Sequence, residues 1–600
     1  MRSVLVSLFA LAIPLSGCFH DPASPGEKMG GPFRFELRAP GADSVFVEGS
    51  FNQWAPRDPK WRMGRGKGSD STLFAAEADD MPVTFSYQFA VYSEGREGRI
   101  EDPFGTISAD IRLDPFQTTV DRGLDPPRPL PSEIDPARLV IYEVMVSDFS
   151  DEGRLSGLAA ALDGGAYPLS ELGINAIELM PVHPTPGGFS WGYDCGSHWS
   201  VDPDYGGTRG LRDFVDACHE RGIAVLLDVV LNHSGGHHPL SELEWLTDRS
   251  HYYDPLQENP FGLPEYDWTN VDVIDYFVEG LAHFIEDLGI DGFRYDFVEG
   301  EAYSNWAKVV LPLKERFPET LHIAESFDPL GGALDPAVGF DAQWGGQSSS
   351  YGGSVNNYHQ RLNTNLAETG YVNRYKGVVG SFAPNDSPML ATADVTGFNP
   401  GRGPWRDIKY LESHDERRVV EQVDASGSSA AKSIGGIQKS KLGAINLLTC
   451  VGIPMLYHGQ EIGVANPIGA NPAPSPIAWS SADVGLWEHY RHLIGLRLNQ
   501  PALASDRIEF IWENESAPSP LDESNRILQY LRGGAGQEIL IVLNFDHEAH
   551  EVMLGFPYAG AWSRFDPATG STTEQIESPE DGGVLVQVPA SDGLIYLAAP

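Results

Sequence analysis

Six hundred residues exceed what one hydrophobic core usually organises, so about two to four domains are expected. A hydrophobic fraction of 41% is enough for packed cores and excludes disorder on the scale of the whole chain. Lys and Arg total 41 against 84 Asp and Glu; the resulting formal charge of −43 repels polyphosphates over most of the surface, which excludes nucleic acid as a partner and reads as solubility.

The chain begins "MRSVLVSLFALAIPLSGC", with one early positive charge, an apolar run too brief to span a bilayer, and small residues before Cys18. Residues 1–18 read as a secretory signal peptide. "LSGC" resembles the lipobox of bacterial lipoproteins, which implies cleavage before Cys18 and lipidation of its thiol; an ordinary secreted signal with an incidental cysteine is the alternative. Acyl chains on one residue would hold the mature protein at an extracytoplasmic membrane face, in the periplasm or at the cell surface, without a spanning helix. No later apolar run is long enough to span. Cys195, Cys218 and Cys450 are odd in number and lack metal-ligand spacing, so one disulfide is allowed and none is required.

Residues 19–30, "FHDPASPGEKMG", read as a tether. From 31 to 122 apolar and polar residues alternate, as in "FRFELRAPGADSVFVEGSFNQW" and "FSYQFAVY", which is the period of strands in a small β-sandwich. "VFVEGSFNQW" is similar to the start of carbohydrate-binding module family 48 domains. Trp54 and Trp61 could stack on sugar rings or could pack in the core of this domain. Residues 123–137, with "GLDPPRPLPSEIDP", form a proline-rich linker.

Between residues 138 and 502 strand and helix patterns alternate: "LVIYEVMV", a helical stretch ending in "LSELG", "INAIELMPV", the helix "LRDFVDACHERG", then "IAVLLDVVL". Near-continuous apolar strands between amphipathic helices indicate a parallel sheet covered on both faces. The pattern continues through "IDGFRYDFV", "LHIAESF", "DIKYLESHD" and "GIPMLYHGQE", which predicts a closed (β/α)8 TIM barrel. From 503 to 600 strands return without helices, in "RILQYLR", "EILIVLNF", "HEVMLGF", "GGVLVQV" and "GLIYLAA", and predict a C-terminal antiparallel β domain.

Within "GFRYDFVEG" the period of two places Arg294 and Asp296 on one strand face, with Phe293, Tyr295 and Phe297 on the other. The aromatic face suits the layer beneath the helices, and the charged face then looks into the mouth of the barrel. An adjacent Arg favours the ionised form of a carboxylate, which suits a nucleophile; a buried structural ion pair is the alternative. Two further strands end in acids. Glu325 of "LHIAES" is in phase with Leu321 and Ile323, and "LESHDE" carries His414 and Asp415, one of them beyond strict alternation. Three carboxylates at strand ends of one barrel are costly for structure alone, so function is the better explanation.

"DVVLNH" (residues 228–233), "GFRYDFVEG", "IAES" and "ESHDE" stand in the order of the four regions that mark glycoside hydrolase family 13, the α-amylase family, which the chain resembles over its barrel and more loosely over the flanking β domains. The resemblance implies that Asp296 is the nucleophile, Glu325 the acid/base and Asp415 the stabiliser of the distorted sugar. It implies that Arg294, His414 and His233 bind the reacting sugar, that Asp228 and Asn232 support the loop, and that Tyr193 of "WGYD" stacks on the sugar. Glu325 must be protonated when substrate arrives, and the charges of Asp296 and Asp415 act in that direction. Many α-amylases follow the nucleophile with Lys and a calcium-ligating His, where this chain has Glu299 and Gly300. No cofactor is therefore expected; calcium stays open with its usual site incomplete, and Asn232 alone is no evidence for a metal.

The function expected from these features is an extracytoplasmic retaining hydrolase of α-1,4-glucans such as starch, glycogen or maltodextrins. A transglycosylase of the branching type shares the covalent intermediate and is the first alternative, although an exported enzyme does not suit an intracellular store. A non-catalytic glucan-binding lipoprotein is the second, and the intact set of Asp296, Glu325 and Asp415 argues against it. "FDAQW" adds Trp344 as a possible sugar platform.

Overall fold

A computed structural model describes residues 29–107, 117–185, 191–258, 262–326, 332–344, 407–415, 418–425, 429–465, 475–505, 507–511, 521–522, 527–534, 537–580 and 583–598. Cys18 and nearly all of the expected tether lie outside the described residues.

Eight parallel strands close into a barrel in chain order: β1 (Ile141–Val144), β2 (Ala176–Leu179), β3 (Ala224–Val229), β4 (Gly292–Tyr295), β5 (Leu321–Glu325), β6 (Ala342–Trp344), β7 (Asp407–Tyr410) and β8 (Ile453–Tyr457). Ile141, Ala176, Leu226, Ile323, Ile408 and Met455 belong to the core that fills the interior. The alternate residues of the same strands face the covering helices, so each strand is apolar on both sides, as its sequence requires. Closure leaves little room where β3, β4 and β5 meet. A Cβ on Gly292 would stand 2.6 Å from the Leu321 carbonyl oxygen and 2.7 Å from Leu226 Cδ2, so only glycine fits there.

The helices obey local rules. Val271–Glu286 starts where the Asn270 side chain accepts from the Asp272 N–H, and it buries Val273, Ile274, Phe277, Leu281 and Phe284, spaced along one stripe. Val484–Asn499 starts where Asp483 accepts from Leu486 N–H. Between β3 and Val271–Glu286 the chain inserts the helix Pro239–Thr247 and an antiparallel pair, Tyr253–Glu258 with Pro264–Tyr266. Among the described residues no helix is long and apolar enough to cross a membrane.

Two antiparallel sheets precede the barrel. One holds Met29–Arg38, Leu73–Pro82 and Gly64–Arg65, and the other is built around Thr84–Ser93. They pack through aromatic rings, with Phe35 4.9 Å from Tyr87 and 6.0 Å from Trp61. Of the two tryptophans, Trp61 is therefore a core residue, 4.3 Å from Phe51, while Trp54 is half-buried. This domain docks on the barrel through the Arg38–Asp272 ion pair at 3.0 Å and the Phe104–Tyr276 ring contact at 5.0 Å. The proline-rich segment is bound as well, since Arg212 donates to the carbonyl oxygens of Asp125 at 2.8 Å and Pro126 at 2.5 Å.

The C-terminal domain is antiparallel, with Ile527–Arg532, Ile539–Asn544 and Asp592–Ala598 at the centre of its main sheet. Leu540, Val542, Leu554 and Trp562 form part of its own core. It contacts the barrel helix Gly436–Thr449, where the hydroxyls of Thr449 and Tyr530 are 2.6 Å apart, and the helix Val484–Asn499, where His492 Nδ1 lies 2.9 Å from the Pro567 carbonyl oxygen. Cys195, Cys218 and Cys450 are buried free thiols.

Candidate active site

At the C-terminal ends of five neighbouring strands the inward positions change from apolar to ionisable. Glu143 follows Ile141 on β1, Glu178 follows Ala176 on β2, Asp228 follows Leu226 on β3, Arg294 follows Gly292 on β4, and Glu325 follows Ile323 on β5. In a barrel of this kind these ends carry the reactive groups.

Arg294 is the hub, only 1% exposed. Nη1 lies 2.9 Å from both carboxylate oxygens of Asp228 and 3.0 Å from Asp296 Oδ1, and Nη2 lies 2.9 Å from Glu325 Oε2. A planar guanidinium can address several oxygens in fixed directions, which an ammonium cannot.

The strand ends at Tyr295, so Asp296 lies beyond β4 and the alternation expected through Phe297 stops. Phe293 and Tyr295 do face outward, with Tyr295 5.3 Å from Phe340 and 5.7 Å from Trp306. Phe297 does not join them. Its φ of +46° is strained for a bulky side chain, and its turn directs its main-chain N–H onto Glu325 Oε2 at 2.7 Å. Asp296 and Glu325 are thereby tied together through one residue.

Burial pushes the Glu325 carboxyl up, and although Arg294 opposes this, Asp296 and Asp415 add to it, bringing Glu325 to about 8. Glu325 is thus protonated at neutral pH. Burial also raises Asp228, to about 6, with Arg294 restraining it, so that Asp228 is ionised there. Asp296 Oδ1 accepts from Arg294 Nη1 at 3.0 Å, and the Asn232 amide lies 3.3 Å from its Oδ2.

Tyr193 enters from the loop after β2. A Cβ on the preceding Gly192, whose φ is +93°, would meet the Pro181 carbonyl oxygen. The Tyr193 hydroxyl lies 2.6 Å from Asp228 Oδ2 and 2.9 Å from His414 Nε2, and its ring stacks on the His414 ring at 5.5 Å. His414 and Asp415 both lie beyond β7, with His414 Nε2 3.5 Å from Asp415 Oδ2. Asp415 has a side chain 40% exposed and faces the opening. His233 is buried and turned onto protein, with Nε2 3.0 Å from the Tyr193 carbonyl oxygen and Nδ1 against Asn232 Oδ1. It holds the Tyr193 loop in place.

The structure therefore brings Asp228, Arg294, Asp296, Glu325, Tyr193, His414 and Asp415 into one continuous set of contacts, with Asn232 and His233 behind it. The side chain of Trp344 lies outside the described residues. The groups at the calcium position do not fit a metal: the Asn232 oxygen is turned to His233, and Glu299 Oε1 accepts from the Ser326 hydroxyl at 2.6 Å.

Two members of the site were not singled out in the sequence, Glu143 and Glu178. Glu143 Oε1 lies 2.6 Å from His414 Nδ1, and its Oε2 accepts from the His414 main-chain N–H at 3.2 Å. Glu178 is its register partner on β2. Burial, with Glu143 and Asp228 nearby, pushes the Glu178 carboxyl well above its ordinary value. The signal was present in "IYEV" and "AIEL", where a carboxylate interrupts an apolar strand on its inward phase.

Residues 140–243 match the family model described as alpha amylase, catalytic domain. A malto-oligosyltrehalose trehalohydrolase of Rhizobium sp. strain M-11 is 28% identical over 642 aligned residues, covering 93% of this chain and 98% of the relative. A cyclomaltodextrinase of a Bacillus species is 27% identical over 421 residues, covering 66% of each chain. Among solved structures, a pullulanase of Anoxybacillus sp. LM18-11 complexed with maltotriose superposes with a TM-score of 0.70 at 18% identity, over 96% of this chain and 86% of that one. This last likeness is one of fold.

Proposed function

We propose, from the premise that the chain is a glycoside hydrolase of the α-amylase family, that it cleaves α-1,4-glycosidic bonds of starch, glycogen or maltodextrins with retention of configuration. The observation that carries this reading is the pair of carboxyls on adjacent arms of one guanidinium: Asp296 on Arg294 Nη1 and Glu325 on Nη2, the latter keeping its proton at neutral pH. Retaining enzymes hold their two carboxyls about 5 to 5.5 Å apart, and a shared guanidinium suits so short a separation.

In the first step Asp296 Oδ attacks the anomeric carbon while the bond from that carbon to the leaving oxygen breaks. Glu325 gives its proton to that oxygen, leaving a glycosyl ester on Asp296 and a carboxylate at Glu325. In the second step Glu325 takes a proton from water, the water oxygen attacks the same carbon, and the ester bond to Asp296 breaks. Asp415 and Tyr193 stand where they can hold the sugar, and Arg294 balances the charge that passes between the two acids.

Glu325→Gln tests the reading, since it removes the transferable proton with little change of shape. Release of reducing ends from soluble starch should be lost, and wild-type-like release would contradict the assignment. Product analysis on amylose separates hydrolysis from transfer; new α-1,6 linkages or longer chains in place of short oligosaccharides would establish the branching alternative.

A narrower reading is favoured by the relative that matches over nearly its whole length, a malto-oligosyltrehalose trehalohydrolase. On that reading the bond cleaved is the one that joins a malto-oligosaccharide to a terminal trehalose. Chromatography of a malto-oligosyltrehalose digest decides, with free trehalose as the expected product.

Lipidation at Cys18 and attachment to an extracytoplasmic membrane face complete the proposal, on the strength of the "LSGC" sequence.

A further inference from the structure

The contacts from β1 to β4 fix the protonation of a histidine. Tyr193 has one hydroxyl proton and gives it to Asp228, an ionised acceptor that Arg294 Nη1 already holds 2.9 Å from each oxygen. The oxygen of Tyr193 is then left to accept from His414 Nε2, 2.9 Å away. On the other side of the ring, Nδ1 donates to Glu143 Oε1 at 2.6 Å. Both ring nitrogens therefore carry protons, and the Glu143 carboxylate also takes the main-chain N–H of His414, which fixes the ring and its backbone together.

We propose that Glu143 is a positioning residue that keeps His414 a fixed, doubly protonated cation beside the reacting sugar. The proposal rests on the catalytic reading given above. Glu143 reaches this place because β1 and β8 are neighbours, and the loop after β7 folds over their ends. The ionisable groups that face His414 are Glu143 from β1, Glu178 from β2, Tyr193 from the following loop, Asp228 from β3, Arg294 from β4 and Asp415 from its own loop. Burial pushes the Glu178 carboxyl well above its ordinary value, and it is Glu143, not Glu178, whose oxygens meet the ring and the main chain of His414. Burial and Arg294 disfavour the charged ring, but Asp415 and Glu143 outweigh them and raise His414 to about 10. A cation makes charge-assisted hydrogen bonds, stronger than those of a neutral ring, and its donor direction cannot reverse.

The test is the pH profile of kcat/KM on a maltodextrin for the full chain, in wild type, E143Q, E143D and E325Q. Without the Glu143 charge, His414 should titrate closer to the ordinary histidine range of about 6.5, so E143Q should approach wild type near about pH 5 and fall roughly tenfold by about pH 7.5. E143D, which restores the charge, should keep the wild-type profile. An E143Q profile parallel to wild type, whatever its height, overturns the proposal. Should E143Q fail to fold, the 15N-histidine spectrum of the wild type decides, with the His414 signal identified by its loss in H414N: a doubly protonated ring near about pH 8 supports the proposal and a neutral one overturns it. E325Q keeps the two readings apart. If it is as active as wild type, the catalytic assignment falls while the His414 spectrum still decides on Glu143.

Discussion

Glu325 Oε2 accepts from the Phe297 main-chain N–H at 2.7 Å and stands 2.9 Å from Nη2 of the Arg294 guanidinium. With a main-chain donor and a positive charge against Oε2, that oxygen is the acceptor and the proton of Glu325 sits on Oε1. The geometry thus selects which oxygen can donate to a leaving group.

Arg294→Lys should lower kcat/KM by about 100-fold on soluble starch, because an ammonium cannot span Asp228, Asp296 and Glu325 at once and the acids lose their relative placement. Steady-state kinetics at fixed pH check this. A loss of less than about threefold would show that charge alone, without the fork, suffices.

The alkaline limb of kcat/KM should reflect Glu325. The reaction uses its protonated form, so activity falls as pH rises past about 8. Asp415 helps to raise Glu325, and Asp415→Asn should move that limb to lower pH besides reducing kcat. A limb that stays in place in Asp415→Asn would contradict the coupling between the two acids.

His183 is buried and neutral, and burial lowers it from 6.5 to about 4. As pH falls below 6.5 the unfolded chain binds a proton here that the folded one refuses, so this contribution is complete above 6.5 and is lost towards 4. His183→Leu should therefore lose less stability than wild type on acidification from about pH 7 to about pH 5, by about 2 kcal/mol. Urea unfolding at the two pH values measures it; equal losses in both proteins would refute the assignment.

Cys18→Ser should move the protein from the membrane fraction to the soluble fraction of its host, with activity per molecule unchanged. Unaltered partitioning would remove the anchor from the proposal.

Dialysis against a chelator should leave activity on starch unchanged, because the Asn232 oxygen and the Glu299 carboxyl are already engaged by His233 and Ser326. Loss of activity restored by calcium would show a site beyond the described residues.

Seven of the eight barrel strands stand out in the sequence because each is an apolar run between turn residues. The exception is Ala342–Trp344, three residues long, too short to show a period. In the C-terminal domain Gly560–Asp566 and Ser571–Ser578 were equally hidden, the second because nearly all its side chains are polar and exposed. The motifs gave the identity of Asp228, Arg294, Asp296, Glu325 and Asp415 but not of Glu143 and Glu178; alternation could not say where β4 stops, and Phe297 left the face predicted for it when the chain turned at Asp296.

What the sequence determined by itself is whatever depends on near neighbours: the period of the strands, the helix caps, and the presence of Arg294, Asp296, Glu325 and Asp415 in recognisable surroundings. Only the tertiary structure decided that Trp61 is core, that Arg294 touches three carboxyls, and that Glu143 meets His414, 271 positions away. The reason is closure: β1 becomes the neighbour of β8 only when the barrel is complete, and no local pattern records which side chains that final pairing brings together.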